Sequence, residues 1–271
     1  MLKDITIGQH FPGNSPVHRA DPRMKIVLTI AYIVMLFLGS NAVGILLSYL
    51  FIGVLYTLSK IKVKIIVKSL KPIFPIILIT ALLNLFFVTG TGDPLVQLGP
   101  VTIYAEGVSY AVLMATRVIA LIAGTSLLTY TTSPIVLTDA IENLLRPLAK
   151  FNLPVHELAM MMTIALRFIP TLIDETDKIM NAQKARGAML DSGKLMERVK
   201  ALIPVLIPLF VSAFRRADEL AMAMECRCYR GGAGRTRLHV LQMTKDDYKY
   251  LAFCCVWFAA IFATRFLPWV G

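Results

Sequence analysis

Residues 26–59 read IVLTIAYIVMLFLGSNAVGILLSYLFIGVLYTLS and contain no Asp, Glu, Lys or Arg. A membrane-spanning helix needs about 20 apolar residues, so this block is long enough for two. Gly39-Ser40-Asn41 at its middle supplies a turn between them. The reading is a helical hairpin, with span 1 near 24–39 and span 2 near 42–59. The pattern recurs along the chain. Residues 72–92 are free of charge, residues 107–138 carry only Arg117, and residues 250–271 carry only Arg265. These blocks predict span 3 near 70–88, with Pro72 and Pro75 in its first turns, span 4 near 107–130 and span 5 near 248–267. Charged residues are 17% of the 271, against about 25% in a typical chain, and the deficit lies in these blocks. The fold class that follows is an all-α integral membrane protein. It has about five transmembrane helices plus a cytosolic domain of three amphipathic helices.

Lysine and arginine set the orientation, because they concentrate on the cytosolic side. The N-terminal segment carries Lys3, Arg19, Arg23 and Lys25, the 2–3 connection carries Lys60, Lys62, Lys64, Lys68 and Lys71, and residues 131–249 carry seventeen. The 1–2 connection and the 3–4 connection (89–106) carry none. The expected layout is a cytosolic N-terminal segment (1–23), four spans (24–130), a cytosolic helical domain (131–247) and a fifth span (248–271) that leaves the C-terminus outside. The first 23 residues are polar and do not read as a secretory signal, so span 1 is expected to direct insertion. The net charge of +11 is then mostly a statement of topology. It does not call for nucleic acid, although a basic cytosolic face also suits acidic lipid or an acidic partner.

Chemistry-bearing clusters are scarce. The four cysteines are Cys226, Cys228, Cys254 and Cys255, none in a predicted outside loop, so no disulfide is expected. Cys226-Arg227-Cys228 has no His or Cys cluster near it to complete a four-ligand metal site. The histidines (10, 18, 156, 239) are scattered. No catalytic constellation and no metal site are expected. A phosphate-binding loop needs G-x-x-x-x-G-K-[ST] between a strand and a helix. Gly231-Gly232-Ala233-Gly234-Arg235-Thr236 lacks the lysine, the spacing and the strand, and reads as a flexible glycine turn. Any ATP used in uphill transport must be hydrolysed by another chain.

The segment 131–247 is the informative one. Ser133 is a helix N-cap with Pro134 at the first helical position. Leu137, Ile141, Leu144, Leu145 and Leu148 then recur at helical spacing to about Lys150. A second helix is predicted from about 154 to 187, with a kink at Pro170. A third follows Asp191-Ser192-Gly193 and runs to about Arg227, with Pro204 and Pro208 inside it. Both long helices are apolar in their first part and charged toward their end. Each finishes with an arginine between small residues, Ala185-Arg186-Gly187 and Cys226-Arg227-Cys228, 41 residues apart. One such end alone is ordinary capping: arginine suits the negative end of the helix dipole, and glycine is the commonest helix stop. Two on successive long helices read instead as paired docking points. The small neighbours let a partner's backbone approach a guanidinium that bonds a carboxylate with two parallel hydrogen bonds.

These features resemble the T component of energy-coupling factor (ECF) importers, a branch of the ABC transporters. The resemblance rests on three stretches: Ile7-Gly8-Gln9 through Pro12-Gly13-Asn14-Ser15 to His18-Arg19-Ala20-Asp21-Pro22-Arg23, the Ala185-Arg186-Gly187 helix end, and the second arginine end with Tyr229-Arg230-Gly231-Gly232 after it. The long opening motif is similar to the shared, multi-vitamin type. The resemblance implies that the domain 131–247 is a coupling domain. It implies two cytosolic ABC ATPase subunits that bind the ATP, one docking on Ala185, Arg186 and Gly187 and the other on Cys226, Arg227 and Cys228. It also implies a separate membrane-embedded S component that captures a vitamin or related micronutrient. The chain itself would be non-catalytic and hold no cofactor. The family usually has Ala and Gly around the second arginine, and here both are Cys. Cysteine is small and tolerates burial, but Cys228 forgoes glycine's conformational freedom.

Arg117, about ten residues into span 4, is costly there. It reads either as a polar contact within the bundle or with the S component, or as pairing with local carbonyls in a span whose frame is shifted outward. Three other functions are weighed. A membrane-embedded enzyme would need a catalytic cluster at the membrane face, and none is visible in the sequence. A secondary transporter predicts carboxylates within the spans, and the spans contain none. A membrane scaffold without ATPase partners differs from a coupling subunit only in what it binds.

Overall fold

The computed structural model describes residues 10–39, 41–88, 96–98, 101–151, 153–188, 195–232 and 241–265. Among them are ten α-helices: α1 (Pro16–Arg19), α2 (Pro22–Leu38), α3 (Ala42–Ser59), α4 (Val63–Leu70), α5 (Phe74–Phe87), α6 (Ala105–Thr131), α7 (Pro134–Leu145), α8 (Val155–Ala185), α9 (Leu195–Cys226) and α10 (Lys245–Thr264). The fold is that of an all-α membrane protein. Four helical stretches are long and apolar enough to cross a membrane: Ala42–Ser59, Lys64–Phe87, Ala105–Thr131 and Val155–Ala185. The first three correspond to spans 2, 3 and 4. Helices also form where spans 1 and 5 were expected. Of these, α2 has 17 residues, about 25 Å at 1.5 Å per residue, the short limit for a span.

Three details depart from the expectation. The lysine-rich 2–3 connection is helical, since α4 runs through a 3₁₀ turn (Lys71–Ile73) into α5, and Pro72 and Pro75 sit in that turn and in the first turn of α5. The 3–4 connection holds a two-stranded antiparallel ladder, Val96–Leu98 with Val101–Ile103. And α8, expected in the cytosol, is apolar enough by composition to span, because its first half outweighs Asp174, Glu175, Asp177 and Lys178 in its second.

The chain divides into two compact units, one of residues 8–137 and 240–271, the other containing 138–239. In the first, α2, α3, α6 and α10 share one core. α2 contributes Met24, Leu28, Tyr32 and Leu36, one residue per turn. Phe51 of α3 meets the rings of Tyr32, Trp257 and Phe258 at 6.0, 5.8 and 5.4 Å between centroids. α6 presents small residues to its neighbours: Ala120, fully buried, Ala123 and Gly124. Onto that strip the hydroxyls of Tyr32, Tyr49 and Tyr56 donate to the carbonyls of Ala120, Thr116 and Ala123 at 3.1, 2.8 and 2.8 Å. Small residues let the rings lie on the α6 backbone, and each hydroxyl finds an acceptor where no water is present. A Cβ added to Gly124 would stand 2.3 Å from Tyr32 Cε1.

One end of this unit is tied by polar groups from the opening segment. Ser15 caps α1, with its Oγ 2.7 Å from His18 Nδ1, and His18 Nε2 lies 3.0 Å from the carbonyl of Phe11. The Phe11 carbonyl can only accept, so Nε2 carries a proton. Asp21 caps α2 and pairs with Arg23 at 2.7 Å, and Arg23 also donates to the carbonyl of Leu241 at 3.1 Å. The backbone N–H of Asp21 donates to Asp247 Oδ1 at 2.9 Å, and the other oxygen of Asp247 closes the capping box of α10 with Thr244. Lys25, only 6% exposed, donates to the carbonyls of His18 and Thr131 and to Thr132 Oγ1 at 3.0, 3.3 and 3.2 Å. The sequence placed Lys25 among the topology-setting charges, whereas it ties α1, α2 and the end of α6 together.

Two measurements test this account. Gly124→Ala is expected to lower stability in detergent by about 1–3 kcal/mol, because the Tyr32 ring must move. Tyr32→Phe should cost about 0.6 kcal/mol, the usual worth of one interhelical hydrogen bond in a membrane protein. Thermal unfolding of both variants checks the order, and a costlier Tyr32→Phe would contradict it. Burial of the His18 ring, with Lys25 and His10 nearby, holds its pKa below the ordinary value against the opposing Phe11 carbonyl. The unfolded chain then binds the proton more readily. The His18 contribution is therefore complete above about pH 6.5 and declines as the pH falls from there through the lower, folded value. The unfolding midpoint should drop between pH 7.5 and 5.5, and His18→Gln should make that drop shallower.

Candidate functional site

In the second unit α8 and α9 pack against each other in opposite directions. Gln183 of α8 lies by Pro204 of α9, with Nε2 donating to its carbonyl at 3.2 Å. Eight residues back along α8, Glu175 accepts from the hydroxyl of Ser212 and pairs with Arg216 at 2.7 Å. The prolines account for one of these contacts. Pro208 has no N–H, so the carbonyl four residues before it, that of Pro204, loses its helical partner. Gln183 supplies the missing donor from the neighbouring helix. Both helices are continuous through their prolines, α8 through Pro170 and α9 through Pro204 and Pro208.

The two arginine ends are built alike. After α8, the N–H of Gly187 donates to the carbonyl of Lys184 and that of Ala188 to the carbonyl of Gln183, both at 3.0 Å. After α9, the N–H of Cys228 donates to Glu225 at 2.8 Å and that of Tyr229 to Met224 at 3.0 Å. Each is a Schellman stop, with the arginine as C-cap and the next residue left-handed: Gly187 at φ 87° and Cys228 at φ 54°. Arg186 and Arg227 are both exposed, and neither guanidinium has a hydrogen-bond or ion-pair partner among the described residues. Cys228 therefore adopts the geometry that glycine gives at the first end, at a cost L-residues normally avoid.

Antiparallel packing puts the two ends far apart. Arg186 closes α8, while the turn after Arg227 returns to the start of α8: a Cβ on Gly232 would lie 2.4 Å from His156 Cδ2, and one on Gly231 would lie 3.8 Å from Glu157 Oε1. α8 has 31 residues, so the two arginines stand on the order of 40 Å apart along it. Gly231-Gly232 was expected to be a flexible turn, yet Gly232 is pressed against the His156 ring. Ala233-Gly234-Arg235-Thr236, Asp191-Ser192-Gly193 and Ile7-Gly8-Gln9 lie outside the described residues.

Arg117 belongs to the other unit, on α6. Its Nη2 donates to the carbonyl of Gly39 at 3.3 Å, Met114 Sδ is 3.9 Å from Nη1, and the Phe37 ring centre is 6.0 Å from the guanidinium. Gly39 is the C-cap of α2, where the helix dipole favours a cation. α6 has 27 residues against 17 in α2, so a position well inside α6 is level with the end of α2. Asn41 Nδ2 donates to the carbonyl of Thr264 at 3.1 Å in the same layer. Among the described residues no group of three or more His, Cys, Asp or Glu is placed to hold a metal ion, and Cys226 and Cys228 are free and exposed.

The left-handed turn at Cys228 makes a checkable claim. Cys228→Gly should raise the stability of the chain in detergent by about 1 kcal/mol, because glycine reaches that φ without the Cβ penalty. Gly187→Ala should lower it by a similar amount. Thermal unfolding of the two variants, with opposite signs expected, is the measurement.

The sequence matches the CbiQ family, described as cobalt transport protein, over residues 13–239. It is 56% identical over 248 residues to the energy-coupling factor transporter transmembrane protein EcfT of Clostridium kluyveri, covering 92% of each chain. To the protein of the same name from Listeria innocua it is 49% identical over 247 residues, covering 91% of this chain and 93% of the relative. To that of Bacillus subtilis it is 46% identical over 265 residues, covering 98% of this chain and all of the relative. The chain belongs to the CbiQ family, among the energy-coupling factor transporter transmembrane proteins.

Proposed function

We propose that this transporter component couples ATP hydrolysis in two cytosolic ABC ATPase subunits to movement of a separate substrate-binding membrane protein, the S component, with uptake of a vitamin or related micronutrient. The observation that carries this reading is the matched pair of helix ends. Arg186 and Arg227 are each held as an exposed C-cap by the same turn, at opposite ends of one antiparallel helix pair. An arginine on a fixed backbone between small residues presents its fork to a carboxylate with little ordering left to do. Ala185 and Gly187 flank one fork, and Cys226 and Cys228 the other. A separation on the order of 40 Å leaves room for one ATPase at each end, with the ATP bound between those partners and no cofactor on this chain.

The crossing of α8 and α9 is then the mechanical link. Gln183 to Pro204 and Glu175 to Ser212 and Arg216 hold the two helices at two places eight residues apart. When the ATPases close or open, the docked ends move with them, and the crossing converts that movement into a change in the surface offered to the S component. In this arrangement the N-terminus and the α7–α9 segment are cytosolic and the C-terminus lies outside.

Affinity purification from membranes in mild detergent tests the docking. Wild type should bring down two ATPase chains, and Arg186→Ala/Arg227→Ala should lose at least about tenfold of them, as expected when buried arginine anchors are removed. The variant's own thermal unfolding should stay unchanged, because neither guanidinium has a partner among the described residues. ATPases that remain on the double variant, or a wild-type chain that purifies alone, would overturn the assignment.

A further inference from the structure

Between Ser59 and Phe74 the chain carries five lysines, Lys60, Lys62, Lys64, Lys68 and Lys71, and no Asp or Glu. All five are exposed, and none is paired with a carboxylate among the described residues. A positive stretch beside a span satisfies topology by charge alone, and that would need no shape. Here there is a shape. A cleft of about 470 Å³ opens where α3 ends, between that turn and the opening segment. Lys60 and Lys62 both line it, Asn14 adds a polar side chain, and Phe11, Ile61 and Ile65 form an apolar wall. No acidic residue lines it among the described residues. The turn that brings the two lysines there is itself unusual: Lys60 is the C-cap of α3 at φ 56°, a left-handed conformation that a lysine rarely holds.

We infer that this cleft binds the headgroup of an anionic phospholipid, with the phosphodiester on Lys60 and Lys62. Three observations choose a lipid over a soluble or protein anion. α3 is a span, so its end lies at the membrane boundary where phosphates are dense. The apolar wall stands directly beside the cations, which suits the glycerol and first methylenes of a lipid and would be left wet by a free phosphate. The charge continues on α4, whose Ile65 and Ile66 pack on the core while Lys64 and Lys68 face solvent, the pattern of a helix lying in the interface. The site depends only on the membrane placement of α3. It stands or falls separately from ATPase docking.

Native mass spectrometry of the full chain, purified in mild detergent and titrated with phosphatidylglycerol or with phosphatidylcholine of the same acyl chains, tests the inference. Lys60→Asn/Lys62→Gln removes both charges and keeps a residue that tolerates the left-handed turn. Lys68→Gln/Lys71→Gln removes the same charge outside the cleft, and matched unfolding midpoints establish that all forms are folded. The expected result is retention of one phosphatidylglycerol, favoured over phosphatidylcholine by about tenfold or more on the scale of two interfacial lysines, lost in the cleft variant and kept in the control. Equal retention of both lipids would overturn the proposal, as would equal loss in the two variants, which would mean a diffuse charge effect. Displacement of the lipid by millimolar glycerol 3-phosphate would make the cleft a soluble-phosphate pocket. If Lys60 and Lys62 are shielded from an amine-labelling reagent in the complete complex with no lipid bound, a partner protein covers them and the lipid assignment fails.

Discussion

The constraint on which the membrane unit depends is the close approach of two tyrosine-bearing helices to the backbone of α6. Lipid is as apolar as leucine, so apolar side chains alone do not draw helices together within a membrane. What does is intimate packing and the satisfaction of polar groups that cannot reach water. The strip Ala120, Ala123 and Gly124 removes the side chains that would hold Tyr32 of α2 and Tyr56 of α3 away. Their hydroxyls then reach the carbonyls of Ala120 and Ala123. One surface thus solves both requirements. The remaining packing of α10 follows from it, because Phe51, stacked on Tyr32, is also the ring against which Trp257 and Phe258 settle.

The polar end of the same unit is built on a different principle. Asp21, Lys25 and Asp247 are nearly inaccessible to solvent, and a buried charge is costly unless every lone pair and proton is placed. Here they are placed. Asp247 serves the backbone of Asp21 and the start of α10 at once, and the ammonium of Lys25 spends its donors on two helix-end carbonyls and a hydroxyl. Charge therefore acts as a fastener among helix ends, which explains why the opening segment is polar although it lies against a membrane bundle.

How much of this was legible follows from the range of each signal. The spans were visible because lack of charge over 20 residues is a local property. The α4 helix was not, because five lysines in twelve residues mask a period that only the half-buried Ile65 and Ile66 reveal. Arg117 looked deep within a span because the depth was counted along its own helix. The helix with which it pairs is ten residues shorter, and that comparison requires the structure. The tyrosine contacts were illegible for the same reason, since no pattern in α3 names its partner on α6. In residues 131–247 the small-Arg-small ends were readable as text, but their equivalence was not: cysteine at 228 does not announce a left-handed residue. For α8 the signals diverge: its charged second half reads as a helix outside the membrane, while its apolar first half makes it long and apolar enough to span.

Cys228 also bears on what the second helix end is for. A helix can stop in many ways, and most need no residue at positive φ. The Schellman stop fixes the direction in which the chain leaves and with it the exit of the C-cap side chain. At the first end glycine adopts this turn without strain. At the second a cysteine holds it, against a penalty of about 1 kcal/mol, and it keeps the same pair of backbone hydrogen bonds. Stability alone would favour glycine there or a different stop. A strained turn that reproduces the geometry of its unstrained counterpart is what is expected when the quantity being held is the direction of the arginine. The same logic reaches the other side of that turn, where Gly232 closes on His156 and ties the end of α9 to the start of α8. The second arginine is thereby referenced to the first through the length of α8, and two separated forks become one rigid measure.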